Sequence, residues 1–120
     1  PETVTEQGGL SLFTEVNEGD EVILMKGTRD SLINRASRVA YSALQADRIH
    51  PTRIYGALVI YCGGCMLAVG SHMSEVAKNI NETLTGVPFL GIFSFGEQGC
   101  FASGQNHHGN LMISMLAFGE

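Results

Sequence analysis

Two very apolar segments of this chain each stop at a polar segment marked by glycine. The first, residues 54–61, ends at the sequence CGGC, and the second, residues 89–95, ends at Gly96-Glu97. Runs of this length and composition predict strands buried on both faces, as in a parallel sheet covered by helices. Because ligands collect at the carboxyl ends of parallel strands, we expect a functional site where these two runs end.

Length, charge and hydropathy restrict the class of protein. The chain has 120 residues, enough for one domain with a single core. Its 12 acidic and 7 basic residues give a formal net charge of -5, which argues against nucleic acid as a partner. Its apolar runs of about eight residues are far shorter than the roughly 20 that cross a bilayer. We expect one cytoplasmic domain over residues 1–120, excised from a longer chain and not inserted in a membrane.

The periodicity of apolar residues predicts the order β-β-α-β-α-β-β. Alternation over residues 10–16 and the run 22–25, joined by a turn at Gly19, predict a β-hairpin. Helical spacing over 32–44 and 73–84 predicts two amphipathic helices, the second ending at Gly86.

The remaining segments complete a predicted α/β fold. Residues 54–61, 88–95 and 111–118 read as strands, and the glycine-rich segment 96–104 reads as a hairpin or lid. Helical crossovers between strands are right-handed and make the strands they join parallel. We therefore predict a mixed sheet with parallel central strands, antiparallel edge strands, and helices packed on the sheet.

The CxxC spacing of Cys62 and Cys65 admits a redox dithiol or half of a zinc site. A redox pair usually precedes a helix, whereas residues 66–69 read as a continuation of the strand, which weakens the redox interpretation. Zinc would need further ligands, and Cys100, His107 and His108 have no standard zinc spacing. We expect reduced thiols and no metal, with a glycine pair between the two cysteines that lets the backbone bend or a ligand approach.

Glu97 is the strongest single candidate for a ligand-binding residue. A carboxylate placed by glycine just beyond a buried strand can accept hydrogen bonds from a ligand amine or amide. The alternative is a solvated turn residue, or one that caps neighbouring backbone N–H groups. The later segment 104–110 is rich in donors and acceptors, and its histidines admit haem, metal or anion binding as well as a plain solvated turn.

The sequence carries no signature of a hydrolase or a nucleotide-binding enzyme. No Walker A motif, no dinucleotide fingerprint and no GxSxG elbow occurs. A thiol enzyme using Cys62 would need a lowered thiol pKa, for which the sequence provides no readable helix start or basic neighbour. We expect a protein that is not an enzyme.

The segments GALVIYCGGC, GVPFLGIFSFGEQG and HHGNLMISMLAFGE together resemble the C-terminal half of FIST domains, over roughly residues 20–119. FIST domains are sensory modules of bacterial signal-transduction proteins and of some eukaryotic F-box proteins. The resemblance implies an input domain that binds small ligands, with amino acids suggested for the family and haem-dependent nitric oxide sensing described for some members.

The resemblance also assigns positions. Cys62 matches the family's cysteine after the central strand, and Gly96-Glu97 matches its glycine–glutamate pair. Either His107 or His108 falls near its histidine–asparagine segment. The family often has arginine where this chain has Cys65, so the chain lacks at this position the arginine that would clamp an anion and pair with Glu97. The partners it implies are the N-terminal half of a FIST module and a downstream signalling domain or kinase, as in two-component systems.

Two interpretations follow. In the first, the chain is a sensor that binds a small molecule at the strand ends and passes a population shift to an output domain. In the second it is a protein-interaction or dimerisation module whose edge strands, 10–16 or 111–118, add to another sheet. For the first, the predicted ligand-binding residues are Cys62, Gly63, Gly64, Cys65, Gly96, Glu97, Gln105, Asn106, His107 and His108.

Overall fold

A computed structural model describes residues 3–12, 15–24, 26–46, 50–101 and 103–120. Its elements in chain order are β1 (Thr3–Val4), β2 (Leu10–Ser11), α1 (Arg29–Ala46), β3 (Ile54–Cys62), α2 (Gly63–Val69), α3 (Met73–Thr83), β4 (Phe89–Ser94), β5 (Glu97–Cys100), β6 (Asn106–Gly109) and β7 (Ile113–Gly119). Short 3-10 turns precede β3, at Pro51–Arg53, and separate α2 from α3, at Gly70–His72. The chain therefore has the mixed α/β character that the periodicity predicts.

The main sheet has three strands in the order β4-β3-β7. β3 pairs with β4 in parallel, and their last register partners are Cys62 and Ser94. β3 pairs with β7 antiparallel, from Ile54 opposite Gly119 to Tyr61 opposite Ile113. The sheet is mixed, as predicted, and the pairing brings the carboxyl ends of β3 and β4 side by side.

All three helices pack on one face of this sheet. The buried core combines strand residues of that face, such as Val59 and Ile113, with helix residues such as Ala36, Val69 and Ile80. Along β3 the buried residues Ala57, Val59 and Tyr61 alternate with more exposed ones, as strand geometry requires. The fold is thus two layers, one of sheet and one of helices.

The other face of the sheet is open. Leu90 of β4 and Leu116 of β7 are both register partners of Leu58, and their exposed fractions are 65% and 57%. The prediction that both central strands are buried on both faces is therefore wrong, because no helix of the described residues covers this side. An apolar run alone does not reveal whether the covering layer belongs to the same chain.

The helix boundaries follow local chemistry. Ser31 N–H donates to Thr28 Oγ1 at 3.2 Å, so Thr28 caps α1. After α3 the chain reverses at Gly86, which has a φ of 84° and donates its N–H to the Asn81 carbonyl at 2.9 Å. One interpretation was wrong: residues 66–69 are helical, in α2, which begins at Gly63 directly after β3. Glycine makes room for this junction, because a Cβ on residue 63 would lie 2.8 Å from the Phe95 ring. The CxxC segment therefore stands at the junction of a strand and a helix.

The predicted hairpin of residues 10–16 and 22–25 does not form. The turn is present, since Asp20 N–H donates to the Asn17 carbonyl at 3.1 Å, but residues 15–16 and 20–24 lie in no strand. β2 pairs instead with β1. Val22, Ile23 and Leu24 are exposed and bury nothing that would stabilise a strand. Residues 13, 14 and 25 of the predicted hairpin lie outside the described residues.

In the described part of the chain, no helix has both the length and the apolar character needed to cross a membrane.

Candidate functional site

The predicted site residues of the CGGC segment and of Gly96-Glu97 follow the ends of two neighbouring strands, β3 and β4. Cys62 is the last residue of β3, and its N–H donates to the Met112 carbonyl at 3.1 Å, just before β7 begins. α2 starts at the next residue. Ser94 ends β4 beside Cys62, and the chain reaches Glu97 three residues later. The CGGC segment and Gly96-Glu97 therefore meet at one end of the sheet, as predicted.

Glu97 is buried, with 1% of its surface exposed, and its carboxylate is held by protein donors. Oε1 accepts hydrogen bonds from the Ser94 hydroxyl at 2.9 Å and from Gly96 N–H at 3.2 Å. Oε2 accepts one from Met112 N–H at 3.4 Å. The carboxylate thereby joins the end of β4, the start of β5 and the loop before β7. This geometry corresponds to the capping alternative considered from the sequence.

The hydrogen bonds keep this carboxylate ionised. Burial raises the pKa of Glu97, but the donors at Gly96, Ser94 and Met112, together with the nearby Cys62 thiol, outweigh it and leave the pKa below its ordinary value. No positively charged partner lies within ion-pair distance of Glu97 among the described residues. The end of the sheet therefore holds a buried negative charge stabilised by dipoles.

The two cysteines beside Glu97 are free and buried. Burial, and secondarily the neighbouring Cys62, raises the pKa of Cys65 to about 12, although Arg35 acts to lower it. Cys65 therefore stays a neutral thiol at physiological pH. Gly63 allows a close contact here, since a methyl group at this position would lie 2.8 Å from the ring of Phe95. A methyl group on Gly64 would contact the Leu111 side chain.

The hairpin β5–β6 extends from the site, so the residues at its base lie near the site and those at its tip lie far from it. Glu97 pairs with Gly109 at the base, and Gln98 pairs with His108. The His108 ring is near the site, since a Cβ on Gly96 would lie 3.5 Å from its Nε2. At the tip of the hairpin, the Phe101 N–H donates a hydrogen bond to the Gln105 carbonyl at 2.9 Å and joins the two strands.

The predicted residues at the far end are not brought to the site. Gln105 and Asn106 are exposed at the hairpin tip. His107 points to the other side of β6 from His108, because side chains alternate along a strand. Its ring meets Phe101 edge-on, with centroids 4.8 Å apart.

Two polar groups that sequence reasoning missed lie on the helix side of the same strand end. Tyr61 is 3% exposed, and its buried hydroxyl has no hydrogen-bond partner among the described residues. Burial, and secondarily Cys65, raises the pKa of Tyr61 to about 12, against the lowering effect of Arg35. An unsatisfied buried hydroxyl costs about 1–3 kcal/mol. The only sequence signal was the position of Tyr61 directly before the CGGC segment.

Arg35 is the second missed group. It lies on α1, half-buried, and its Nη1 donates to the Leu111 carbonyl at 2.6 Å. Leu111 has a φ of 59°, in the left-handed region that non-glycine residues rarely adopt. The sequence placed Arg35 off the apolar face of α1, and nothing in its spacing indicated a contact 76 positions away.

The described residues do not fit a haem. His107 and His108 lie on opposite sides of an exposed two-stranded hairpin, with no apolar cleft between them. Nor does the described part of the chain contain a group of three His, Cys, Asp or Glu side chains placed to hold a metal ion. Two shallow depressions, of about 490 and 370 Å³, lie between α1 and α3, where they are lined by residues such as Arg38, Tyr41 and Asn79. Neither is lined by a residue of the strand ends.

Comparison with known proteins identifies the family. The sequence model of the FIST C domain matches residues 1–100. The match thus includes the CGGC segment and Glu97, whereas β6 and β7 lie beyond it. No curated protein and no solved structure matches the chain. Because the match covers most of the 120 residues, the chain belongs to the FIST C domain family, a family of sensory signal-transduction modules.

Proposed function

We propose that this chain is the ligand-binding part of a sensory input domain, without enzymatic activity, and that its ligand is a small metabolite such as an amino acid. The binding site is the end of the sheet where β3 and β4 stop, around Cys62, Cys65 and Glu97. Membership of a family of sensory modules supports the sensory role. The charges at the site support the choice of a small metabolite such as an amino acid as the ligand.

The observation that carries the proposal is the presence of opposite charges at one loop: Arg35 donates to the Leu111 carbonyl, and Glu97 accepts from the N–H of the adjacent Met112. Arg35 also lowers the pKa of the Cys65 thiol and Glu97 raises it, so both charges act on the same group. A zwitterion such as an amino acid matches this pair of charges. Because Glu97 already accepts hydrogen bonds from the protein, its charge attracts a ligand ammonium group without the carboxylate leaving its donors.

The hairpin β5–β6 is suited to report the binding event. It is joined to the site at Glu97, and Ser114 of β7 donates its hydroxyl to the Gln98 carbonyl at 2.9 Å. A ligand whose ammonium group is attracted to Glu97 shifts the position of the hairpin that begins at this residue, including the residues toward its tip, Gln105, Asn106, His107 and His108. In the cytoplasm, a kinase or another output domain would read that shift as a change in population.

A thermal-shift screen of the reduced chain tests this proposal. Amino acids, small carboxylates, haemin and zinc are each added in excess over the protein. Ligand binding to the folded state alone raises the unfolding temperature, by an amount that grows with ligand concentration. A selective rise with one or a few amino acids is the expected result. A flat response to every amino acid and carboxylate contradicts the proposal, and a rise with haemin alone would replace it with haem binding.

A second function is favoured by the open face of the sheet. Leu90, Ile92, Leu116 and Phe118 are exposed on this side, and a contiguous apolar surface of this kind marks an interaction site. We propose that the N-terminal half of a FIST module covers it. Co-expression of the two halves tests this: a stable heterodimer that Leu116→Lys disrupts is expected, whereas a homodimer of this chain on the same face would point to self-association instead.

A further inference from the structure

The hydroxyl of Tyr61 is a buried donor without an acceptor. The side chain is 3% exposed and the oxygen has no hydrogen-bond partner among the described residues. Burial keeps the hydroxyl protonated, since it raises the pKa of Tyr61 to about 12. Buried hydroxyls are normally paired with a protein group, water or ligand. This one lies a single residue before Cys62, at the strand end where we propose that the ligand binds.

Arg35 provides further donors next to this hydroxyl. A guanidinium has five N–H groups, and only Nη1 has an acceptor in the described part of the chain, the Leu111 carbonyl at 2.6 Å. No carboxylate lies within ion-pair distance of Arg35 among the described residues. Tyr61 is the register partner of Ile113, which follows Leu111 by two residues, so the bond to Leu111 places the guanidinium at the same strand end as Tyr61. In agreement with this, its positive charge lowers the pKa values of both Tyr61 and Cys65. Arg35 is half-buried and Leu111 is exposed, so the guanidinium side of this pair reaches the surface.

We propose that Arg35 and the Tyr61 hydroxyl together bind the carboxylate group of the ligand. This inference rests on the proposed function, to which it adds the ligand's anionic group and two residues that hold it. A carboxylate has two oxygens, which accept hydrogen bonds from the planar guanidinium and from the hydroxyl at the same time.

The surrounding charge selects a carboxylate over a phosphate. The chain has a formal net charge of -5, and the buried Glu97 carboxylate raises the pKa of Cys65, the same thiol whose pKa Arg35 lowers. A phosphate dianion would meet this negative potential with only one arginine to offset it. A monoanionic carboxylate, or the carboxylate of a zwitterion, does not carry that additional charge.

Backbone amide NMR spectra of the whole chain test the proposal, with propionate as the carboxylate probe, methylammonium as the amine probe and inorganic phosphate as the competing anion. The test variants are Tyr61→Phe, which removes only the hydroxyl, and Arg35→Gln. The matched controls are Tyr41→Phe and Arg38→Gln, which remove the same groups from exposed positions on α1. Both controls line a depression between α1 and α3, so a ligand bound there would respond to them instead.

Propionate is expected to shift the amide signals of residues 61–65 and 111 in the wild-type chain, more strongly than phosphate or methylammonium. The affinity for propionate should fall at least tenfold in Tyr61→Phe and in Arg35→Gln and remain unchanged in both controls. Equal affinity in all five proteins, no shift of these signals, or a loss confined to the controls would each overturn the proposal. Because Tyr61→Phe keeps the buried ring, the test does not depend on whether Arg35→Gln folds.

The unfolding temperature of ligand-free Tyr61→Phe provides an independent readout. If the hydroxyl has no partner before the ligand arrives, its removal should leave this temperature unchanged or raise it. A clear fall would show that the hydroxyl is already bonded, for example to a buried water, and would overturn the proposal.

The two proposals can fail separately. If amino acids stabilise the wild-type chain and Tyr61→Phe equally, the sensory function stands and the carboxylate site is wrong. If propionate binds at Arg35 and Tyr61 but no amino acid or other metabolite stabilises the chain, the carboxylate site stands and the proposed function is wrong.

Discussion

Arg35 Nη1 donates a hydrogen bond to the Leu111 carbonyl oxygen at 2.6 Å, which connects α1 to the loop before β7. That loop also supplies the Met112 N–H that donates to Glu97 Oε2 and the Met112 carbonyl that accepts from Cys62 N–H. Two adjacent residues thus connect the helix layer, the end of β3 and the hairpin base. Any ligand that binds at Arg35 or Glu97 acts on this same loop.

Glu97→Gln should destabilise the chain most at neutral pH and least in acid. The hydrogen bonds lower the pKa of Glu97, so its carboxylate stabilises the folded state above the ordinary glutamate pKa, and this contribution disappears as pH falls through the lowered value. We expect a cost of about 2–4 kcal/mol at pH 7, since hydrogen bonds to a charged group contribute about 1.5–3 kcal/mol each.

The free energy of unfolding of wild type and Glu97→Gln, measured by urea denaturation between pH 7 and pH 3, checks this prediction. Glu75→Gln is the control, because Glu75 is an exposed glutamate in the first turn of α3. A difference between Glu97→Gln and wild type that stays constant with pH would contradict the role given to the carboxylate.

The three cysteines should differ in reactivity. Cys100 is exposed, whereas Cys62 and Cys65 are buried and burial raises the pKa of Cys65 to about 12. At pH 8 an aromatic disulfide reagent should therefore modify one thiol rapidly in the folded chain and all three after denaturation. Cys100→Ser should abolish the fast reaction. Fast modification of two or more thiols in the folded wild type would show that the CGGC segment is open.

The raised pKa of Cys65 also predicts loss of stability in alkali. Because the folded state holds the thiol proton more tightly than the unfolded chain, the stabilisation is present below the ordinary thiol pKa and is lost as pH rises toward about 12. The fall in unfolding free energy between pH 8 and pH 10 should be smaller in Cys65→Ala than in wild type. An identical fall in the two proteins would contradict the assignment.

Gly63 and Phe95 should be coupled. A methyl group on residue 63 meets the Phe95 ring at 2.8 Å, but alanine is otherwise the better residue in a helix, by about 0.5–1 kcal/mol. Gly63→Ala should therefore be neutral or destabilising in the wild-type chain and stabilising in a Phe95→Ala background. Unfolding free energies of the two single variants and the double variant give the coupling energy. If the change in unfolding free energy of the double variant equals the sum of the two single changes, the contact between residue 63 and the Phe95 ring is contradicted.

A buried and an exposed leucine provide a matched pair that tests whether the open sheet face is covered. Leu84, directly after α3, is fully buried, so Leu84→Ala should cost about 2–5 kcal/mol. Leu116 is 57% exposed on the open face, so Leu116→Ala should change stability by about 0.5 kcal/mol or less in the isolated chain. Urea denaturation measures both. A large cost for Leu116→Ala would mean that this face is already covered, for example in a homodimer.

The sequence predicts the central features of this fold because they depend on local patterns. The run ending at Tyr61, the helical spacing of α3 and the glycine at its end are all signals within one segment, and the structure contains each of them. The convergence of Cys62 and Glu97 follows as well, because parallel strands end at the same edge of the sheet.

The remaining features depend on contacts that no segment reveals by itself. Residues 66–69 are as apolar as a strand, and only the turn after Cys62 makes them helical. Strand β4 is apolar enough for a doubly buried strand, yet its four central residues are exposed. The Arg35–Leu111 bond and the missing partner of Tyr61 arise from tertiary packing between distant parts of the chain.

The most direct test of the proposed ligand site is an amide NMR titration of the chain with the amino acid that gives the largest thermal shift. We predict that the signals of residues 61–65, 96–97 and 111–112 move together as the site fills, with the hairpin residues 105–108 following. Shifts confined to the depression between α1 and α3, or no shifts at saturating amino acid, would contradict a ligand site at the end of the sheet.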